Sequence, residues 1–390
     1  MRKNSPQIVI IGGGVIGSSI AYHLAKYDAP VTLIEKNDLA SGSSGACDGL
    51  VFMQSKKPGI HLTLAMESLK RFATLQQELP VDIELKHTGG LVIIETEAEY
   101  RAMEKYTKEQ QANGLDVRLL DPSQALAKEP LLAPGIIGST FSPLDAQVNP
   151  INLTLGFALA AKKNHARIVT HADVLGIQTH DNRVTGVRTT QGNFDADIVV
   201  NAAGSMAGLV SDMVGISMPV RPRRGQIVVT HAAHPVLKHC LISAKYIAAK
   251  YDPSLAHTAG QGISMEQADN GNLLLGSTRE FVGFNKTNTL SGIKKIIHQT
   301  AAILPVIKTF QVIRTFAGLR PYTPDGLPIL GSVRSLDGFF MAAGHEGDGI
   351  ALSPVTGHLL AQMLLGRSTL IPLDAFSPDR FQDNGGSAHA

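Results

Sequence analysis

The chain has no tryptophan, only two cysteines and almost no net charge, and each shortage closes off a class of protein. Cys47 and Cys240 cannot build a disulfide framework or a cysteine-rich metal centre, so a reducing compartment is the default. Thirty-five basic against 33 acidic residues leaves +2, far from the basic field that nucleic acid or an anionic membrane surface calls for. Charged residues make up 17% and hydrophobic ones 44%, which excludes a disordered chain because there is ample apolar surface to bury. Long apolar runs are missing too. Gln7–Ile20 follows Arg2 and Lys3 in the manner of a targeting signal. However, Gly12, Gly13, Gly14 and Gly17 break it, and His23 and Lys26 arrive before the roughly 20 apolar residues that a membrane span needs. The reading is a soluble, cytoplasmic protein whose 390 residues make two to three domains at roughly 150 residues each.

Glycine is the one excess: 38 of 390 residues, against an average of about 7%. Its positions carry the first motif. Gln7–Ile11 is a β-branched run suited to a buried parallel strand, Val15–Tyr27 has helical spacing, and Val31–Glu35 is a second strand. Between strand and helix lies Gly12-Gly13-Gly14-Val15-Ile16-Gly17, a G-x-G-x-x-G loop. In that setting Gly12 allows the tight turn, Gly14 lets backbone approach a pyrophosphate and Gly17 lets helix and strand pack closely. The helix N-terminus supplies N–H donors to phosphate, and Glu35 is placed to accept from ribose hydroxyls. This predicts a dinucleotide site and leaves NAD and FAD open.

Ser41-Gly42-Ser43-Ser44-Gly45 bears on that choice. As a flexible linker it would split the nucleotide fold, whereas its hydroxyls and free N–H groups suit a second cradle for the flavin side of a longer cofactor. Further along, the spacing predicts helices over Gly59–Leu79 and Glu97–Asn113, and a hairpin of Val174–Thr179 with Val184–Thr190 across Asp181-Asn182-Arg183. It also predicts a single strand over Phe194–Asn201 and a short strand over Tyr246–Ala248. Lys56-Lys57-Pro58-Gly59 reads as a solvated basic turn, or as a place for a second flavin's phosphate or a partner. His345-Glu346-Gly347-Asp348 holds three ligand types, but its spacing and interleaved glycines read as a backbone-contact loop, and no metal is expected.

Four blocks in order make the chain resemble the D-amino acid oxidase superfamily of FAD-dependent oxidoreductases, in its glycine/sarcosine oxidase and proline/opine dehydrogenase branch. They are Gly12–Gly17 with Glu35; Asn201-Ala202-Ala203-Gly204; Ala317–Gly326, containing Arg320; and Ala342–Gly349. The resemblance implies a Rossmann-like FAD-binding domain with a second, antiparallel-sheet substrate domain, of the glutathione reductase/D-amino acid oxidase-like class. It implies an FAD-binding part over residues 1–80, 145–220 and 325–390, and a substrate part over 81–144 and 221–324. Residues 383–390 are expected to be a flexible tail. Two departures stand out. Ser205-Met206 follow Gly204 where relatives commonly carry tryptophan, and no cysteine falls near Arg320, so FAD is expected to be noncovalent.

The same resemblance assigns the sites. Arg320 is expected to hold the substrate carboxylate, with Tyr246 beside it. Gly12, Gly14, Val15, Ile16, Gly17, Glu35, Lys36, Ser43, Ser44, Gly45, Gly49, Leu50, Val174, Ala203 and Gly204 are expected around the cofactor. So are Gly344, His345, Glu346, Gly347, Asp348, Gly349 and Ile350. The implied reaction is oxidation of an amino acid or N-substituted amino acid to an imine by hydride transfer to flavin N5. The reading favours a dehydrogenase passing electrons to a partner subunit or quinone. An oxygen-using oxidase, a nicotinamide-dependent dehydrogenase and a non-catalytic flavin relay subunit are the alternatives. No catalytic base stands out.

Overall fold

In the computed structural model, residues 6–251, 254–255 and 262–381 are described, without the side chains of 249 and 250. The expected tail at 383–390 lies outside them. Ile8–Ile11, four buried residues in a row, is a central strand of a six-stranded sheet. Its order is Ile329–Ser332, Phe339–Ala343, Ile198–Asn201, Ile8–Ile11, Val31–Ile34 and Arg167–Val169. All neighbours pair in parallel except the first two strands. Parallel strands covered on both faces need continuous apolar sequence, and these have it. The helix Val15–Ala25 packs on this sheet between Pro150–Lys163 and Gly349–Leu364.

A second sheet has eight strands, in the order Val312–Tyr322, Arg221–Thr230, Leu273–Gly276, Ser264–Gln267, Cys240–Ser243, Gly90–Ile94, Gly138–Ser142 and Arg118–Leu120. It is antiparallel except where Cys240–Ser243 runs parallel to Gly90–Ile94. Its longest pairing, Arg221–Thr230 against Val312–Tyr322, sets Arg223 opposite Arg320 and Gly225 opposite Gly318. The hairpin Val174–His180 with Arg183–Thr189 turns at Asp181 and Asn182, both at positive φ (46° and 58°), as a two-residue turn of this hand requires.

Three sequence expectations need correction. Phe194–Asn201 is two strands, not one: Gly192–Asp195 completes the hairpin sheet and Ile198–Asn201 enters the parallel sheet. Tyr246–Ala248 is helical, within Lys245–Tyr251, because Ala244 N–H pairs with Ile93 and the sheet ends there. Lys56 is no solvated turn residue. It is 1% exposed, with Nζ on Asp348 Oδ1 at 2.7 Å and donating to Phe52 O and Ser55 Oγ, each at 2.8 Å. A charge so enclosed is not presented to a phosphate.

Candidate active site

A cavity of about 610 Å³ runs from the C-terminal ends of the parallel strands to the face of the eight-stranded sheet. One end is built from backbone. Gly12 has φ +116°, and a Cβ there would overlap Ala202 O. The N-terminus of the helix Val15–Ala25 opens on the cavity, with no acidic residue in its first turn. Glu35 is anchored by two amides, Gly13 N–H to Oε2 at 2.7 Å and Asn37 N–H to Oε1 at 2.9 Å. Each of its oxygens keeps a further lone pair.

The serine run fastens this end to the other. Ser44 Oγ accepts from Val15 N–H at 3.0 Å, while Ser43 Oγ donates to Leu319 O. Ala46 O lies so close to Gly318 that any side chain at 318 would overlap it.

Eighteen of the residues expected at the sites line this cavity: Gly12, Gly14, Val15, Ile16, Glu35, Lys36, Ser43, Ser44, Leu50, Val174, Ala203, Gly204, Arg320, His345, Glu346, Gly347, Gly349 and Ile350. Gly17, Gly45, Gly49, Gly344, Asp348 and Tyr246 are not among its lining. Gly17, Gly45 and Gly49 face the backbone of Gly12, Ala40 and Val148, where a Cβ would overlap a carbonyl, and Gly344 at φ +81° packs on Thr323. They keep the cradle's shape from behind. Asp348 faces Lys56 and lies 3.4 Å from His61 Nε2. His345 is buried against Thr356 Oγ1 at 3.1 Å. Burial pushes its imidazole down to about 3, so it is neutral at ordinary pH. Among the described residues no group of three His, Cys, Asp or Glu converges as a metal site.

The other end is built from side chains. Arg320 donates from Nη1 to Thr278 O at 3.1 Å and from Nη2 to Ser277 Oγ. Its guanidinium lies over Gly225, where a Cβ would collide with it. Arg223, its cross-strand neighbour, is ion-paired with Glu346. Burial first, then Arg320, pushes Arg223 down to about 10. Tyr246 approaches from its helix: its hydroxyl and Arg320 Nε come within 3.8 Å and 3.7 Å of the point a Gly347 Cβ would occupy. A Cβ at 347 would make ordinary contact with both.

Two groups here escaped the sequence reading. Asp48 lines the cavity and accepts from Ser264 Oγ at 2.8 Å. Behind it Glu266 takes the Gly49 N–H on both oxygens at 3.0 Å. Burial and the nearby Asp48 push Glu266 up to about 8. Cys47, remote from Arg320 in sequence, also lines the cavity, and burial followed by Asp48 pushes its thiol up. No sequence signal pairs residue 48 with 266, because only the sheet register brings them together.

A family model described as FAD dependent oxidoreductase matches residues 7–363, and the chain belongs to that family. Glycine oxidase from Geobacillus kaustophilus is 31% identical over 96% of this chain and 96% of its own. Hydrogen cyanide synthase subunit HcnC from Pseudomonas protegens is 30% identical, again over 96% of each. The crystal structure of L-proline dehydrogenase from P. horikoshii is 27% identical with a TM-score of 0.88, covering 97% of this chain and 99% of that one. The protein is thus an FAD-dependent oxidoreductase. Among the described residues no helix is long and apolar enough to cross a membrane.

The residues present fit FAD. The cavity is within the range of cofactor sites, a helix N-terminus and a turn that tolerates no Cβ open on it, and an acid stands at the end of the second strand. Its extension to Arg320 exceeds what the first cradle alone would need.

Proposed function

We propose that this enzyme oxidises the C–N bond of a small amino acid or secondary amino acid whose carboxylate is held by Arg320. One observation carries the reading. Arg320 lies on the cavity wall, and among the described residues no carboxylate is within ion-pair reach of it. A guanidinium bonded only to neutral oxygens at a cavity wall is a site for an anion, and its planar fork matches a carboxylate. Tyr246 stands behind the wall, its hydroxyl approaching Gly347 from the side that Arg320 Nε also approaches.

FAD, when bound, supplies the acceptor for the hydride leaving the substrate α-carbon. Gly12, Gly14 and Val15 would hold it at the helix N-terminus, Glu35 at a ribose, Ser43 and Ser44 at the second cradle, and Val174 with Ala203 and Gly204 beyond. His345–Gly347, Gly349 and Ile350 would line its other end. Cys47, protonated by its burial, favours noncovalent binding. Asp48, on the same cavity wall, offers a counter-charge to the substrate ammonium. The chain thus orients the substrate between Arg320 and Asp48.

The dehydrogenase reading, with electrons passed to a partner subunit or quinone, draws on the likeness to a proline dehydrogenase and to a subunit of a larger enzyme. The glycine oxidase likeness supports oxygen as acceptor instead. A panel of glycine, sarcosine, proline and D-amino acids added anaerobically to the yellow holoenzyme tests the function: at least one is expected to bleach the flavin. If none does, the reading falls. Reoxidation by air, compared with an artificial quinone, separates the two acceptors.

A further inference from the structure

Lys56 is a fully buried cation that is no part of the cavity wall. Taking an ammonium out of water is costly unless it is paired and hydrogen-bonded, and its surroundings fix where this charge sits. The Lys56 carbonyl accepts from the Tyr106 hydroxyl at 2.7 Å and from Gln110 Nε2 at 3.1 Å, both on the helix Glu97–Ala112. The ammonium, held by Phe52 O and Ser55 Oγ, donates to Asp348 Oδ1 at 2.7 Å. The other Asp348 oxygen lies 3.4 Å from His61 Nε2. Asp348 occupies the N-cap position of the helix Gly349–Leu364. An aspartate there ordinarily accepts from one of the helix's first amides, which lack an intrahelical acceptor, and adds negative charge at the positive end of the dipole. Among the described residues, the Asp348 carboxylate caps no amide of that helix, and the first turn contains no acid. Gly347, Gly349 and Ile350 on either side line the cavity, while Asp348 does not.

Resting on the cofactor placement proposed above, we infer that Lys56 is a positioning residue. It draws the Asp348 carboxylate off the N-terminus of the helix Gly349–Leu364, so that this end stays positive toward the flavin. Reduction adds negative charge to a flavin, and a positive helix end on the cavity wall favours the reduced form. A carboxylate returned to the cap would oppose it. Lys56 acts only through Asp348.

The midpoint potential of the bound flavin, measured against a reference dye during slow chemical reduction of the holoenzyme, tests this without any amino acid. In Lys56→Met the ratio of reduced to oxidised flavin at a fixed potential is expected to fall about tenfold, about 30 mV for a two-electron couple. Lys56→Arg, which can hold the same carboxylate, should keep the parent ratio. Asp348→Asn alone should change it by less than about threefold, because the charge it removes is already held away, yet should raise it about tenfold in the Lys56→Met background. A Lys56 that only props the fold would leave the potential where it was. One acting directly on the flavin would give the same Asp348→Asn shift in both backgrounds. Either result overturns the inference. So does a rise of about tenfold or more in Asp348→Asn alone, a reading that holds even where Lys56→Met does not fold. Bleaching by no amino acid would sink the substrate reading and leave these outcomes as they stand.

Discussion

The two ends of the cavity are made of different material. At the dinucleotide end the contacts come from backbone: a turn at φ +116°, a helix N-terminus, and an acid fixed by two amides. At the substrate end they come from side chains on several elements: Arg320 and Arg223 on paired strands, Asp48 on a loop and Tyr246 on a helix. The first end tolerates little change at Gly12 and Gly17, where a carbonyl stands in the place of any Cβ. The second is adjustable, since long side chains can be exchanged without moving the sheet. A fold that serves many substrates would be expected to divide its labour in this way.

That contrast can be broken most violently at Gly12. Gly12→Val meets Ala202 O and forces a β-branched residue to positive φ, costing about 1–3 kcal/mol from backbone strain alone before the overlap is counted. The expected product is a colourless, destabilised protein, read by flavin content and Tm. A yellow, stable variant would deny that this turn faces the cofactor.

A smaller effect is expected across the sheet. Gly225→Ala pushes only the far end of the Arg320 side chain, so flavin and fold should survive. Carboxylate affinity should fall about tenfold, or about 1.4 kcal/mol, visible in the dissociation constant of a bound carboxylate. The same substitution leaving affinity unchanged would place the carboxylate elsewhere.

The mildest test concerns Glu266. Its folded value of about 8 stands above the ordinary 4.5, so the folded state holds a proton that the unfolded state releases. Its favourable contribution is complete below about pH 4.5 and is lost as pH rises through about 8. Glu266→Gln should therefore raise Tm on the order of 2 °C at pH 9 and leave it nearly unchanged at pH 4. A gain that is the same at both values would remove the carboxylate pair from the account.

Legibility in sequence follows the same division. Gly12 to Glu35 could be read because turn, helix and acid are close neighbours along the chain, and the strand-helix-strand unit appears where it was expected. Arg320, singled out by its local block, lies on the cavity wall. Asp48 could not be read, since its meaning depends on Ser264 and Glu266, more than two hundred residues away. Lys56 was misread because a Lys-Lys-Pro-Gly run looks solvated until Asp348 is brought against it from residue 348. Gly17, Gly45 and Gly49 were recognised as special, but they serve packing behind the wall rather than the wall itself.

The central claim is that Arg320 takes the substrate carboxylate, and anaerobic stopped-flow reduction of Arg320→Ala holoenzyme tests it most directly. Removing two charge-assisted hydrogen bonds, worth about 1.5–3 kcal/mol each, predicts a loss of about 10²- to 10⁴-fold in the second-order rate constant for flavin reduction, with the flavin spectrum and content unchanged. Reduction of the variant by the amino acid as readily as the parent would contradict the account.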